Sequence, residues 1–399
     1  MSVRTVGQYK MSFTQAQGQP TTARHESAKS RLEFLDGLRA LAALYVLLHH
    51  VRNATFTDRA YSGTGKGLLN IITFPLTYGH LAVALFIVLS GYCLMLPVLS
   101  REHFEPKTFL LRRAQRILPP YYAALILTFG ITLLSNALSV SLKDAISWQG
   151  ILARIFLCQE IPRAILWEWN LPLWSVAVEW KIYLVFPLVV AGIRRFGAEK
   201  TVAATLLCSL VLLYGLALLT PLAPSLTLSL MEPVGVMPQL LGLFGFGVLA
   251  AVWSRSVGRL SQKQLRLGAL IGMGLGVGLE ALWQNTSKEL PRFVTDYLFG
   301  AGAACLLAYL AQAPKSRLRA LVEWRSLVAL GGMSYSVYLL HDPIVRLLSR
   351  GLLLRLPISH VPYFVLLSAL SLMVTLALSW LFFRLVEQPT LRKIATTRS

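Results

Sequence analysis

The segment Phe34–Asn53, FLDGLRALAALYVLLHHVRN, is a run of twenty mostly apolar residues. A bilayer core about 30 Å thick is crossed by roughly 20 apolar helical residues, so this run predicts a membrane-spanning helix. It also contains Asp36, Arg39, His49 and His50. Ionisable side chains are costly inside a membrane and therefore indicate a functional role for at least some of these residues.

The rest of the chain repeats this pattern. Of its 399 residues, 55% are hydrophobic and only 14% are charged, with a mean hydropathy of +0.59. A soluble domain carries about 25% charged residues to cover its surface. We therefore predict an all-α, polytopic transmembrane helical bundle of about ten helices, with spans at 34–53, 80–98, 117–137, 172–193, 201–221, 234–253, 264–283, 293–312, 327–348 and 362–386.

The predicted spans belong to one membrane domain, residues 32–393, flanked by two tails. Residues 1–31 are polar and basic, lack the apolar core of a signal peptide, and predict a disordered cytoplasmic tail. Residues 394–399 form a short cytoplasmic tail. The amphipathic stretch Ala145–Cys158 is shorter than a span and predicts a helix at the membrane interface.

The net charge of +20 has two interpretations. A basic patch on a soluble domain would indicate nucleic-acid binding. Here the basic residues instead concentrate in the N-terminal tail, in the even-numbered loops and in the C-terminal tail, which is the bias of cytoplasmic segments. We therefore predict that both termini are cytoplasmic, that the partners include membrane lipids, and that nucleic acid is not a partner.

Two residues of the first span share a helix face. Arg39 and His50 are eleven positions apart, which is three turns plus about 20°, with a rise of about 16 Å between them. Arg39 would lie near the cytoplasmic mouth and His50 beyond the midplane. Alternatively, Arg39 reaches the headgroups and His50 merely ends the helix. His49 points about 80° away and is expected to be structural.

The fourth span carries a second polar stripe. Ser175, Glu179 and Tyr183 recur at every fourth position, and Glu179 lies at a depth close to that of His50. A carboxylate and an imidazole at one depth favour acid–base chemistry. The alternative is that Glu179 is a structural partner of Lys181 or of an arginine elsewhere.

The ninth span contains GGMSYSVYLLHDP, residues Gly331–Pro343. Ser334, Tyr338 and His341 lie on one helical face. We expect this face to point into the bundle, because polar groups that face lipid find no hydrogen-bond partners. In the second span, by contrast, the pair Ser90-Gly91 is expected to serve helix packing.

Arginines gather where the third span begins on the predicted cytoplasmic side. Arg112, Arg113 and Arg116 precede the span proper. Such a cluster is often no more than the charge bias of cytoplasmic loops. Because it lies near a helix N-terminus and on the same side as Arg39, it could instead hold the phosphates of a nucleotide-like donor.

The ordered set of motifs over residues 32–393 resembles acyltransferase family 3, membrane proteins that include bacterial O-acetyltransferases of surface polysaccharides. The motifs that carry the resemblance are Leu35-Asp-Gly-Leu-Arg39 with His50, Phe86-Ile-Val-Leu-Ser-Gly-Tyr92, Arg112-Arg-Ala-Gln-Arg-Ile-Leu-Pro119, Trp174-Ser-Val-Ala-Val-Glu179 with Tyr183, Ser334-Tyr-Ser-Val-Tyr-Leu-Leu-His341 and Glu387-Gln-Pro389.

The resemblance implies an acyl-CoA donor, usually acetyl-CoA, and an essential pair formed by Arg39 and His50. It also implies a carbohydrate acceptor, in some cases lipid-linked, handled at the bacterial inner membrane. Arg39 and the Arg112–Arg116 cluster would hold the donor, and His50 would act as general base or carry the acyl group itself. Glu179 would orient His50, and the substrate would be bound by Ser175, Tyr183, Tyr338 and His341.

Two other functional classes compete with this hypothesis. A proton-coupled transporter or flippase of glycan precursors would use intramembrane His and Glu as a proton relay. The sequence shows no inverted repeat that would favour a transporter. A scaffold would have no use for His50, Glu179 and His341 at one depth. No metal is implied, since His49 and His50 point apart and no third ligand is placed.

Overall fold

In a computed structural model of the chain, the described residues are helices joined by short connections, without strands. They comprise 33–58, 66–137, 147–159, 170, 172–219, 238–256, 258–283, 292–353 and 356–396. The predicted N-terminal tail lies outside the described residues.

The helices follow one another in the order that the apolar runs predict. They are α1 Glu33–Asp58, α2 Lys66–Thr73, α3 Gly79–Leu99, α4 Pro106–Ala137, α5 Trp148–Ile155, α6 Leu173–Phe196, α7 Ala198–Leu219, α8 Gln239–Arg255, α9 Gln262–Trp283, α10 Arg292–Gln312, α11 Arg317–Val322, α12 Arg325–Gly332, α13 Ser334–Arg346, α14 His360–Phe382 and α15 Gln388–Thr396. Segments of π-helix at Leu347–Leu353 and Phe383–Glu387 follow α13 and α14.

Among the described residues, eight helical stretches are long and apolar enough to cross a membrane. They confirm the predicted all-α polytopic bundle. The sixth predicted span corresponds to α8, which is shorter at 17 residues.

The ninth predicted span is not one continuous helix, which corrects that prediction. It is divided into α12 and α13 at Met333, whose backbone leaves the α-helical region at φ −112° and ψ 13°. Two glycines precede the break, and glycine is the poorest helix former after proline. The hydroxyl of Ser334 donates to the carbonyl oxygen of Gly331 at 2.8 Å across the break. The division lets α13 present its own polar face to the bundle.

Helix α1 lies at the centre of the site-bearing part of the fold, where it packs against α3, α12, α13 and α14. Phe34, Leu47 and Val51 of α1 are fully buried. Apolar burial of this kind does not drive assembly within lipid, so close packing and polar contacts hold these helices together.

Helices α3 and α8 approach each other closely at two glycines. A Cβ atom on Gly91 would lie 2.2 Å from the carbonyl oxygen of Phe244, and one on Gly247 would lie 2.0 Å from that of Val88. At both positions the facing backbone is so close that only the hydrogen atom of glycine fits. The Ser90-Gly91 pair therefore serves packing through Gly91, as predicted from the sequence.

The predicted interfacial stretch forms α5, although residues 145 and 146 lie outside the described residues. Trp148, the first residue of α5, and Phe156, which follows its last residue, are 76% and 71% exposed. The hydroxyl of Tyr121 donates to the carbonyl oxygen of Arg154 at 2.9 Å, and that of Tyr122 donates to Ile155 at 2.7 Å. These bonds fasten α5 to α4.

Candidate active site

A cavity opens among α1, α3, α4, α6 and α13, and most of the predicted site residues line it. The stripe of α6 meets Ser334 and Tyr338 of the α13 face there. Its polar lining comprises Arg39, Ser90, Cys93, Arg113, Arg116, Ser175, Glu179, Tyr183, Ser334, Tyr335 and Tyr338.

One end of the cavity is strongly basic. Arg39 forms an ion pair with Asp36 at 2.7 Å and donates to Sγ of Cys93 at 3.0 Å. Arg113 stands 5.7 Å from the ring centre of Phe109, and its Nε is buried without a hydrogen-bond partner in the described part of the chain. A buried N–H normally has a partner, so this end of the cavity is suited to an anionic ligand.

The three arginines of α4 do not share one position. Arg113 and Arg116 line the cavity with Arg39. Arg112 instead lines a neighbouring cavity, together with Arg101 and His103, and Arg113 lines both. The predicted donor cluster is therefore divided between two adjoining spaces, with Arg113 where they meet.

Glu179 is held inside the cavity by a tyrosine of its own helix. The hydroxyl of Tyr183 donates to Oε1 of Glu179, and the same hydroxyl lies 2.9 Å from Oγ of Ser90. The two residues are one helical turn apart, as the sequence pattern indicated. Glu179, Tyr183 and Ser90 therefore form one hydrogen-bonded group in the lining of the cavity.

Ser175 and Tyr338 close the opposite end of the cavity. The hydroxyl of Tyr338 lies 2.6 Å from Oγ of Ser175 and donates to the carbonyl oxygen of Pro172 at 3.1 Å. The rings of Phe86 and Tyr338 meet edge to face, with centres 5.7 Å apart. These contacts join α3, α6 and α13 into the deep wall of the cavity.

His50 lies beyond that wall and has a carboxylate partner that the sequence did not suggest. Its Nδ1 lies 3.3 Å from Oδ1 of Asp342, a residue of α13 that is 2% exposed. Nε of Arg346 lies 2.9 Å from the other oxygen of Asp342. We expected Glu179 in this role, but the structure pairs Glu179 with Tyr183 and gives His50 the carboxylate of Asp342 instead.

The neighbouring histidine has a different environment. Nδ1 of His49 lies 2.7 Å from the carbonyl oxygen of Leu76, and its Nε2 lies 2.9 Å from the amide nitrogen of Asn53. A carbonyl only accepts, so Nδ1 of His49 carries the proton and Nε2 accepts from Asn53. Nδ1 joins α1 to the segment before α3 and Nε2 bonds a residue of α1 itself, so both nitrogens have structural partners.

His341 occupies the space between the cavity wall and His50. It is 1% exposed, and the face that it shares with Ser334 and Tyr338 is buried in the bundle, as the sequence predicted. Its ring centre lies 5.6 Å from that of Tyr338 and 5.0 Å from that of His50. The site thus runs from the arginines through the cavity to Tyr338, His341 and His50.

Two groups of residues were missed by sequence reasoning. Asp342 directly follows His341 within the ninth predicted span. The rule that an ionisable residue inside a span indicates a function would have identified Asp342. A further polar cluster links α3, α9 and α10, where Nε2 of His80 lies 3.8 Å from oxygens of both Glu280 and Asp296. These three also lie within predicted spans, and the same rule applies to them.

Comparisons with known proteins show similarity to acyltransferases. The chain is 28% identical over 333 residues to the acyltransferase MdmB of Streptomyces mycarofaciens, an alignment that covers 79% of each chain. It is 23% identical over 376 residues to the O-acetyltransferase OatA of Staphylococcus aureus. That alignment covers 90% of this chain and 57% of OatA. It is 26% identical over 337 residues to YrhL of Bacillus subtilis, named as a candidate peptidoglycan O-acetyltransferase.

The chain therefore spans about half the length of OatA and YrhL and most of the length of MdmB. No solved structure matches it. The sequence profile of acyltransferase family 3, described as an acyltransferase domain, matches residues 32–384, which include every residue of the site just described. The chain belongs to this family of membrane acyltransferases.

Proposed function

We propose that this protein transfers an acetyl group from acetyl-CoA to a hydroxyl group of a carbohydrate at the bacterial inner membrane. One observation carries the proposal. An arginine-lined cavity and a histidine held by a carboxylate lie along one path through the bundle, with Tyr338 and His341 between them.

The arginine end suits the phosphates of the donor. Arg39, Arg113 and Arg116 line one space, and guanidinium groups bind phosphates through charge-assisted hydrogen bonds. The remaining wall is largely apolar, with Val83, Ile87 and Leu94 beside the polar groups. A thioester chain can extend along such a wall from its phosphates towards Tyr338.

The geometry of His50 suits a general base. A neutral ring with its proton on Nδ1, the nitrogen that lies 3.3 Å from Oδ1 of Asp342, keeps its lone pair on Nε2. Nε2 can then take the proton of an acceptor hydroxyl as its oxygen attacks the acyl carbonyl carbon. Asp342 keeps the ring oriented and stabilises the imidazolium that forms, and Arg346 holds Asp342.

The acceptor is proposed from the relatives together with the position of His50. The names of OatA and YrhL describe O-acetyl transfer, and that of YrhL specifies peptidoglycan. The side chain of His50 is 18% exposed although it does not line the cavity, and we assign the approach of the acceptor to this exposed edge. A lipid-linked or surface glycan presented at the outer side of the membrane fits this access.

Mass spectrometry of surface glycans tests the proposal in cells. We expect acetylated glycan in cells that produce the wild-type protein, and its loss in cells that lack the protein or produce His50→Ala at the same membrane level. Glycans that are present in normal amount at the surface but lack acetyl groups would support transfer. Failure of the glycan itself to reach the surface would instead indicate a transporter and contradict the proposal.

A further inference from the structure

One ring nitrogen of His341 has a hydrogen-bond partner, and the other has none among the described residues. Nδ1 lies 2.7 Å from the carbonyl oxygen of Tyr338, which only accepts, so Nδ1 carries a proton. In the neutral ring the lone pair is therefore on Nε2. That nitrogen is buried and has no hydrogen-bond partner among the residues that the structure describes. A buried polar atom without a partner is rare and calls for an explanation.

The position of His341 suggests what this nitrogen does. The cavity ends at Phe86 and Tyr338, and neither His50 nor His341 lines it. An acyl group delivered into the cavity must still travel from that wall to an acceptor beside His50. The ring of His341 is in contact with Tyr338 on one side and with His50 on the other, so it lies where this transfer has to occur.

We propose that His341 is the acyl carrier of this enzyme and that His50 is the base of the second step. This inference rests on the proposed function and extends it by dividing the reaction between the two histidines. His341 thereby becomes a catalytic residue, whereas its sequence pattern indicated only substrate binding.

Atoms and charges balance in both steps of this proposed reaction. In the first, Nε2 of His341 attacks the thioester carbonyl carbon, the carbon–sulfur bond breaks, and coenzyme A leaves as the thiolate. The product is an N-acyl imidazolium, whose positive charge is stabilised by the bond from Nδ1–H to the Tyr338 carbonyl and by the adjacent Asp342. In the second, His50 takes the acceptor proton, the hydroxyl oxygen attacks the acyl carbon, and His341 regains its lone pair. The proton on His50 passes to solvent and neutralises the thiolate.

Burial of His341 suits a carrier of this kind. Acyl imidazoles react readily with water, and a ring that is 1% exposed keeps water away from the intermediate. The first step requires the edge-to-face rings of Phe86 and Tyr338 to part so that the thioester reaches Nε2.

The test uses the purified full-length chain and acetyl-CoA labelled in its acetyl group, without acceptor. Coenzyme A release in a single turnover is measured, and rapidly quenched protein is digested to locate the label by mass spectrometry. Wild type and His50→Ala should each release up to one coenzyme A per protein and carry label on the peptide containing His341. His341→Gln should release at least about a hundredfold less within the same time, and His49→Ala should behave as wild type.

Several outcomes would overturn the inference. Label on the peptide containing His50, or undiminished release by His341→Gln, would assign the carrier elsewhere. Acceptor-dependent transfer by wild type with neither label nor release before acceptor is added would show direct transfer, leaving the proposed function intact. Absence of coenzyme A release under every condition would overturn the donor assignment and this inference together. Because the label is located in wild type, the result does not depend on the folding of a variant.

Discussion

Nδ1 of His50 lies 3.3 Å from Oδ1 of Asp342, and this contact joins the first helix of the bundle to α13 at the proposed reaction centre. A histidine whose Nδ1 faces a buried carboxylate keeps its reactive lone pair on Nε2 and gains support for its charged form. The proposed mechanism therefore assigns proton transfer to Nε2 of His50.

We predict that Asp342→Asn lowers kcat by at least about tenfold, because the amide neither fixes the tautomer of His50 nor stabilises its cation. The KM for acyl-CoA should change little, since Asp342 does not line the donor cavity. Steady-state kinetics on protein at equal membrane levels measure both quantities. Glu323→Gln, which removes a carboxylate paired with Arg319 that lines neither cavity, is the matched control. A raised KM with an unchanged kcat would refute this role.

The donor side is tested by the three arginines of α4. Arg113→Ala or Arg116→Ala should raise the KM for acyl-CoA more than it lowers kcat, because phosphate contacts persist through the reaction. A lost charge-assisted bond costs about 1.5–3 kcal/mol, which is roughly tenfold to hundredfold in affinity. Arg112→Ala should be milder, since Arg112 lines the adjoining cavity. Equal donor affinity in all three variants and wild type would mean that these arginines do not bind the donor and serve only to orient the protein in the membrane.

The close approach of α3 and α8 predicts a stability effect that is separate from catalysis. Gly91→Ala or Gly247→Ala should lower the thermal unfolding midpoint in detergent, because the added Cβ meets a backbone carbonyl at 2.2 or 2.0 Å. Gly130→Ala is the control, as its Cβ meets nothing within 4 Å and alanine favours the helix. A midpoint for Gly91→Ala at or above that of Gly130→Ala would mean that the helices do not approach this closely.

Membrane orientation can be read from single cysteines in a chain whose four native cysteines have been replaced. Lys315→Cys, exposed between α10 and α11, should be labelled from the cytoplasm by an impermeant reagent. Ser359→Cys, exposed before α14, should be labelled from the opposite side. The reverse pattern would place the arginine end of the cavity outside and exclude cytoplasmic acyl-CoA as the donor.

Much of this arrangement follows from the sequence because its signals are local. Span lengths follow from apolar runs, and the shared face of Ser334, Tyr338 and His341 follows from helical spacing. The pairing of His50 with Asp342 does not follow from the sequence, because it depends on how α1 and α13 are rotated relative to each other. Depth suggested Glu179 as the partner of His50, but the packing gives His50 the carboxylate of Asp342 instead. At the break before Met333, α12 also approaches α1 closely, since a Cβ atom on Gly331 would lie 1.9 Å from the carbonyl oxygen of Asp36.

The central claim is that His50 acts as the base in acyl transfer, and its most direct test compares two adjacent histidines. Acceptor-dependent release of coenzyme A from acetyl-CoA should fall at least about a hundredfold in His50→Ala, with donor binding retained. His49→Ala should keep most of its activity, because both of its ring nitrogens are used in structural contacts. Both variants must reach the membrane at the wild-type level. An inactive His49→Ala beside an active His50→Ala would contradict the account.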